Sequence, residues 1–277
     1  MIAIRSRPEV NMPNVSRTPR KDVLTILRRE VGFCCPVTGC GSPYLTWHHF
    51  DPPWRIEKHH RPEGMVALCR EHADKADNGA FTNDQIRTLK REGRSRASEV
   101  RGRFDWMRSK ILTVVAGNFG YECYTALEVG GVKCIWFERD EDGYLLLNVK
   151  MPTLAQRPRA EIERNTWTVS SGAHEVLCPP SGRLVEVKYE NGDRFRVEFF
   201  ILESSEEFAS RYPHVARFKE LPEYPLTAVE IYETIAGAGV SFTPRGITSP
   251  EGGHVGGNFF RNFRGASISI GANPRKV

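Results

Sequence analysis

The chain has 277 residues, 40% hydrophobic and 26% charged, with a net charge of +5. That is the profile of a globular protein with room for two domains, and it excludes a fibrous or wholly disordered chain. No apolar run approaches the roughly 18 residues of a membrane span. The first residues hold no apolar signal core, so a cytoplasmic protein without membrane contact is expected.

Residues 1–16 mix Pro, Asn, Ser and Arg without a period and read as a flexible arm. Thr18-Pro19 has the form of an N-cap with Pro at the first helical position. Val23, Leu24, Leu27 and Val31 follow at helical spacing, and Gly32 ends the helix. This helix opens a domain spanning residues 17–95.

Residues 34–77 hold four of the seven cysteines and five of the eight histidines. Cys35-x4-Cys40 and Cys69-x2-His72 have the composition and spacing of a tetrahedral zinc set. Cys34 sits beside Cys35, and either thiol can supply that ligand. Clustered cysteines favour reduced thiols over a disulfide framework. Tyr44 to Phe50 reads as a short strand carrying His48 and His49. Adjacent residues on a regular strand point to opposite faces. Both imidazoles therefore serve one site only if the strand ends or bulges there, and Asp51-Pro52-Pro53 supplies a break. In the loop Asp51–Glu63, Trp54 and Arg55 either reach into a groove or stay solvated. His59-His60 reads as a solvated pair or as a phosphate contact. Gly64 to about Lys75 reads as a helix with Met65, Leu68 and His72 along one face, stopped by Asn78-Gly79.

These residues resemble the HNH endonuclease superfamily, whose core is a ββα-metal finger. The resemblance rests on Cys35 and Cys40, His48 and His49, Pro52, the run Met65-Val66-Ala67-Leu68-Cys69, and His72. It covers only about residues 30–80. It implies metal-dependent hydrolysis of DNA phosphodiester bonds, with His49 as general base and His48 as a ligand of catalytic Mg²⁺ or another divalent cation. It also implies a structural Zn²⁺ on Cys35, Cys40, Cys69 and His72. Family habits add a role in phage defence or in a mobile element. The chemistry suits these residue types. A neutral imidazole can serve as base near pH 7, a cation stabilises charge on phosphate, and a small finger needs a metal to fix its shape.

Two positions depart from the family pattern. Gly64 stands where the family has Asn, and Ala73 where it has a final metal-binding His. Position 73 leaves three readings: a substitute ligand, with Asp74 and Asp77 nearest; an inactive site; or an engineered His→Ala change. A zinc finger that grips DNA without cutting it, and a scaffold for protein contacts, are the competing readings of the finger.

Thr82-Asn83-Asp84-Gln85 is a capping box that starts a helix through Ile86, Leu89 and Lys90. The stretch from Lys90 to Arg103 is strongly basic. Gly93 and Gly102 argue against one long helix, and residues 96–110 read as a basic linker. Residues 1–115 carry 21 Lys and Arg against 13 Asp and Glu, a net +8, while the rest carry 18 against 21, a net −3. The basic half is the one expected to meet a polyanion, with Arg55, His60, Arg61, Arg94 and Arg96 as phosphate contacts.

From residue 111 onward the pattern is strand-like. Ile111–Val115, Lys133–Glu138, Tyr144–Met151, Thr166–Val169, Leu184–Tyr189 and Arg194–Leu202 alternate or carry β-branched runs. Asn191-Gly192 signals a two-residue hairpin turn. Ser204 to Arg211 reads as one short helix, followed by strands at Ala228–Tyr232, Val240–Thr243 and Ala266–Ile270. The expected fold class is α+β. A small zinc-bearing ββα-metal domain with flanking helices precedes a mostly antiparallel β domain at 111–277. That second domain is assigned to specificity, sensing or oligomerisation, with a regulatory ligand or a second copy of the chain as partner.

Overall fold

The computed structural model describes residues 16–97, 99–150, 153–154, 159–170, 172–250, 252 and 256–271. The arm expected at 1–16 therefore lies, Ser16 excepted, outside the described residues. The first helix, α1 (Lys21–Glu30), starts after Arg20, which makes no side-chain cap. Thr18-Pro19 thus precedes the helix and does not open it. Its end follows the sequence closely. Gly32 takes a left-handed φ of +69°. Phe33 N–H donates to Arg28 O and Gly32 N–H to Arg29 O, the paired bonds of a Schellman ending.

Next come β1 (Leu45–His49) and β2 (Met65–Cys69), paired antiparallel with His49 opposite Met65 and Leu45 opposite Cys69. Helix α2 (Arg70–Asp77) follows directly. The helix predicted from Gly64 to Lys75 is therefore a strand over its first half. Met65 to Cys69 are all buried, and a short, continuous apolar run has no period that separates a buried strand from a buried helix. Helix α3 (Asn83–Arg96) begins with the predicted capping box, in which Thr82 and Gln85 satisfy each other's backbone N–H. It runs through Gly93 without a break. A Cβ there would lie 2.9 Å from Val31 Cα and 3.1 Å from Pro36 Cβ, so Gly93 permits the close crossing of α3 over the end of α1. Leu27, Val31, Leu45, Phe50, Met65, Leu68, Ala73 and Ile86 form the core of this N-terminal unit.

The remaining strands are β3 (Val100–Arg103), β4 (Leu112–Val115), β5 (Asn118–Tyr121), β6 (Thr125–Val129), β7 (Val132–Arg139) and β8 (Leu145–Lys150). Then follow β9 (Ala160–Glu163), β10 (Thr166–Val169), β11 (Ala173–Leu177), β12 (Leu184–Tyr189) and β13 (Arg194–Leu202). Helix α4 (Ser205–Arg211), capped by Ser204, leads to β14 (Leu226–Ile235), β15 (Val240–Thr243), β16 (Gly246–Thr248), β17 (Phe259–Arg261) and β18 (Ala266–Ile270). They build two open sheets. One has the order β18-β6-β7-β8-β9-β10-β3 and the other β11-β12-β13-β14-β4-β5-β17, with β15 and β16 branching from β14. Most pairs are antiparallel; β14–β4, β17–β5 and β18–β6 are parallel. The turn at Asn191-Gly192 is a three-residue loop, since Lys188 pairs with Arg194 and Tyr189 N–H donates to Asp193 O.

One buried cluster draws on both sheets, including Ile135, Leu147, Trp167, Val187, Phe199 and Ile231. The other face of the larger sheet is covered by α4, where Phe208 and Tyr212 pack on Phe119. Residues 96–110, read from sequence as a linker, include β3, which pairs with β10, and the fully buried Phe104. Gly102 is required there, because a Cβ would sit 2.3 Å from the Trp167 ring. The N-terminal unit is fastened to the sheets by a buried ion pair, Arg28 Nε to Glu175 Oε1 at 2.7 Å, and by Arg103 N–H donating to Tyr44 Oη at 2.9 Å. Among the described residues, no helix is long and apolar enough to cross a membrane.

Candidate functional site

Four side chains of metal-ligand type converge at the knuckle before β1 and the junction of β2 with α2. The ligand atoms of Cys35, Cys40, Cys69 and His72 all lie within 4.8 Å of one another. Cys40 Sγ is 3.7 Å from Cys69 Sγ, and His72 Nδ1 is 3.5 Å from Cys35 Sγ and 3.2 Å from Cys69 Sγ. A tetrahedral ion with metal–sulfur bonds of about 2.3 Å requires edges of about 3.5–3.8 Å. The cluster therefore can hold a metal ion such as zinc. Burial pushes the Cys35 thiol well above its ordinary range, and a bound cation is what would offset that cost. Cys34 faces the other way, into the core shared with the sheets, which assigns the ligand to Cys35.

The imidazole pair lies at the end of β1. The register is unbroken through His49, the last residue of β1, so no bulge joins the two rings, and it is the end of the strand that leaves them free to serve one site. His48 faces α2, where its Nδ1 is 3.2 Å from Asp77 Oδ1. Burial lowers its proton affinity, and the Asp77 carboxylate partly restores it. Asp77 falls one helical turn after Ala73. Ala73 itself is buried in the hydrophobic core, and Asp74 is exposed, so of the two acidic candidates only Asp77 meets His48.

His49 faces the loop. Its Nε2 lies 2.9 Å from His59 O; a carbonyl only accepts, so Nε2 carries the proton. Nδ1 is then the lone-pair nitrogen, and it is buried without a hydrogen-bond partner. Desolvation, with the neighbouring His59 next in effect, lowers the His49 pKa to about 4. The ring is neutral at pH 7 and held in one orientation. A phosphate beside it would raise its proton affinity again.

The sequence left His59 and Trp54 open, each either solvated or in contact with a ligand, and both pack around His49. His59 is buried, with Nε2 donating to Pro52 O at 2.9 Å and Nδ1 accepting Arg61 N–H at 3.2 Å. It is therefore not the solvated residue the charged loop suggests. Trp54 lies against His49 at 4.7 Å and stacks on His60 at 5.5 Å between ring centres. Gly64 explains how the loop closes. A Cβ there would lie 2.0 Å from Asp51 O and 2.9 Å from His59 Cε1, so the position given to Asn in the family pattern admits only glycine here. Three prolines bracketing the loop (Pro52, Pro53, Pro62) were the available signal for a fixed conformation.

The other predicted contacts divide. Arg55 is exposed. His60 is half-buried on Trp54, with Nε2 enclosed and unpaired. Arg61 is turned onto Glu57 at 3.0 Å, which offsets its charge within the loop. Arg94 lines a 690 Å³ groove between α1 and α3 with Arg29, Arg87, Lys90 and Arg91, against Glu30 and Glu63. Arg96 ends α3, and its side chain lies outside the described part of the molecule. Arg17, unremarked in the sequence, is exposed and close enough to lower the proton affinity of both His48 and His49. No family model, no curated protein and no solved structure matches the chain.

Proposed function

We propose that the chain is a metal-dependent endonuclease of the HNH type that hydrolyses DNA phosphodiester bonds, with His49 as general base. The observation that carries this reading is the His49 ring, fixed through Nε2 on the His59 carbonyl with Nδ1 bare. A nucleophilic water donating to Nδ1 would pass its proton to a base that cannot rotate away. The His59 carbonyl then accepts from the imidazolium that forms. Zn²⁺ on Cys35, Cys40, Cys69 and His72 would fix the hairpin and α2 that carry the site. His48 and Asp77 offer two donors for a divalent cation, few enough that water and phosphate oxygens complete its shell, as suits Mg²⁺. When bound, that cation supplies charge stabilisation to the phosphate and leaving oxygen. The groove between α1 and α3 is lined by five basic and two acidic side chains. Arg87 is held by Asp51 and Asp84 and Lys90 by Glu30, so it is the remaining arginines, Arg29, Arg91 and Arg94, that support DNA as the polyanion. Of the three readings of position 73, the Asp77–His48 contact favours a substitute ligand.

His49→Ala is expected to lower plasmid nicking by about 10²–10⁴-fold while zinc content and DNA affinity stay unchanged. Asp77→Ala should silence cleavage and Asp74→Ala should not. Equal activity of Asp77→Ala and wild type across Mg²⁺, Mn²⁺, Co²⁺ and Ni²⁺ would remove Asp77 from the site. A second reading, a zinc module that binds DNA without cutting, draws on the buried Ala73 and on there being no third donor beside His48 and Asp77 among the described residues. Wild type that binds DNA but never nicks it, with any of those ions, would establish that reading.

A further inference from the structure

We propose that the β part binds a nucleoside phosphate, in a cavity between the end of α4, β14 and the β15–β16 turn. This inference stands apart from the nuclease reading. The cavity measures 710 Å³ and is lined by Arg211, Tyr212, His214, Glu230, Tyr232 and Arg245 among others. At its base lies Glu230, only 3% exposed. Its carboxylate accepts Arg211 Nε at 3.0 Å, Arg211 Nη2 at 3.1 Å, Tyr232 Oη at 3.2 Å and the Tyr212 hydroxyl. Four donors saturate the carboxylate. What it does for the cavity is hold the Arg211 guanidinium and both phenols in place. The guanidinium also lies 3.9 Å over the Phe200 ring, so one of its faces is covered.

Arg245 is the second cation. It sits at the turn between β15 and β16, exposed, and among the described residues no carboxylate reaches ion-pair distance. Its backbone is nevertheless fixed. Gly117 has a left-handed φ of +69°, and a Cβ there would lie 2.6 Å from Arg245 O. Gly117 N–H donates to Thr243 O at 2.8 Å, which ties the turn to the sheet. Arg211 and Arg245 both line the cavity. The Arg211 charge is paired with Glu230, so the Arg245 charge is in excess over these three groups, and that excess beside a fixed guanidinium selects an anion, best a phosphate. The volume decides the rest. Small-molecule sites occupy roughly 300–1,000 Å³, far more than a lone inorganic anion fills. Tyr232 and the prolines Pro213 and Pro244 on the walls supply flat apolar surface for a ring.

The test is isothermal titration of the full chain with AMP, ATP, GTP and inorganic pyrophosphate. At least one nucleotide should bind with a micromolar Kd and more tightly than pyrophosphate. Arg245→Glu, at an exposed position that leaves the Glu230 network untouched, should weaken that binding by about tenfold or more. The proposal would be overturned by no nucleotide bound below about millimolar, by equal binding by Arg245→Glu, or by pyrophosphate bound as tightly as any nucleotide. Displacement of the nucleotide by duplex DNA would assign the cavity to the polymer and would equally overturn it.

Discussion

Cys69→Ala is expected to purify without zinc and with its N-terminal unit unfolded. Cys69 closes β2, precedes the first residue of α2, and contacts both Cys40 and His72. It therefore joins the metal cluster to the hairpin that carries His48 and His49. The hydrophobic core of this unit is small, and a structural zinc contributes on the order of 10 kcal/mol or more to folding. That exceeds the roughly 5–15 kcal/mol margin of a whole domain at its lower end. Cys34→Ala is the control: it deletes a buried thiol of the other core and is expected to cost about 1 kcal/mol with zinc retained. Elemental analysis and thermal unfolding of the two variants decide the matter. A folded, zinc-free wild type would remove the metal assignment altogether.

The second large effect concerns Glu233. It lies on β14 three residues after Glu230, so strand alternation turns the two carboxyls to opposite faces. Glu230 finds four donors. Glu233 is 1% exposed, and neither of its oxygens has a partner. It pairs in register with Phe195 on one side and Phe242 on the other. Burial pushes its pKa up from 4.5 to about 8. The folded chain therefore holds a proton that the unfolded chain releases between those values. The stability this contributes is fully present below about pH 4.5 and is lost as pH rises through about 8. The slope is about 1.4 kcal/mol per pH unit, and the total is on the order of 4–5 kcal/mol. Urea unfolding at pH 5, 6, 7 and 8 should show this fall in wild type, and Glu233→Gln should lack that share of it. Parallel pH profiles for the two proteins would contradict the assignment.

How much of this was legible follows from how far apart the determining residues are. The Cys/His cluster could be read because Cys35-x4-Cys40 and Cys69-x2-His72 are local spacings, and the Thr82 capping box for the same reason. Thr166–Val169, Leu184–Tyr189 and Arg194–Leu202 were legible to the residue, because each is a run with clear turn signals at its ends. β2 was not, since Met65–Cys69 owes its strand form to pairing with β1 and its burial to the helices around it. His59 was hidden because its role depends on loop closure at Gly64, a contact no periodicity reports. Short strands such as β5 and β17 escaped too. β17 pairs with β5, far back along the chain, and Asn118 and Asn258 are hydrogen-bonded across 140 residues beside it. β5 also pairs with neighbouring β4, but its Asn118-Phe119-Gly120-Tyr121 is no alternating or β-branched run.

Those long-range parallel pairs also order events at the ribosome. Strands β4, β5 and β6 emerge early, yet their parallel partners β14, β17 and β18 lie in the last third of the chain. Both sheets therefore wait for the end of synthesis, and their high contact order makes closure slow. The N-terminal unit draws its core from residues 27–86 alone and can form while the rest is still being translated. When β11 emerges, its Glu175 adds the buried ion pair with Arg28 to the earlier contact of Arg103 with Tyr44. Nascent chains arrested near residue 190, with 111–150 clear of the ribosomal exit tunnel, should accordingly protect 20–90 from proteolysis while 111–150 is still cut. Cleavage of both regions alike would show that the two parts fold together.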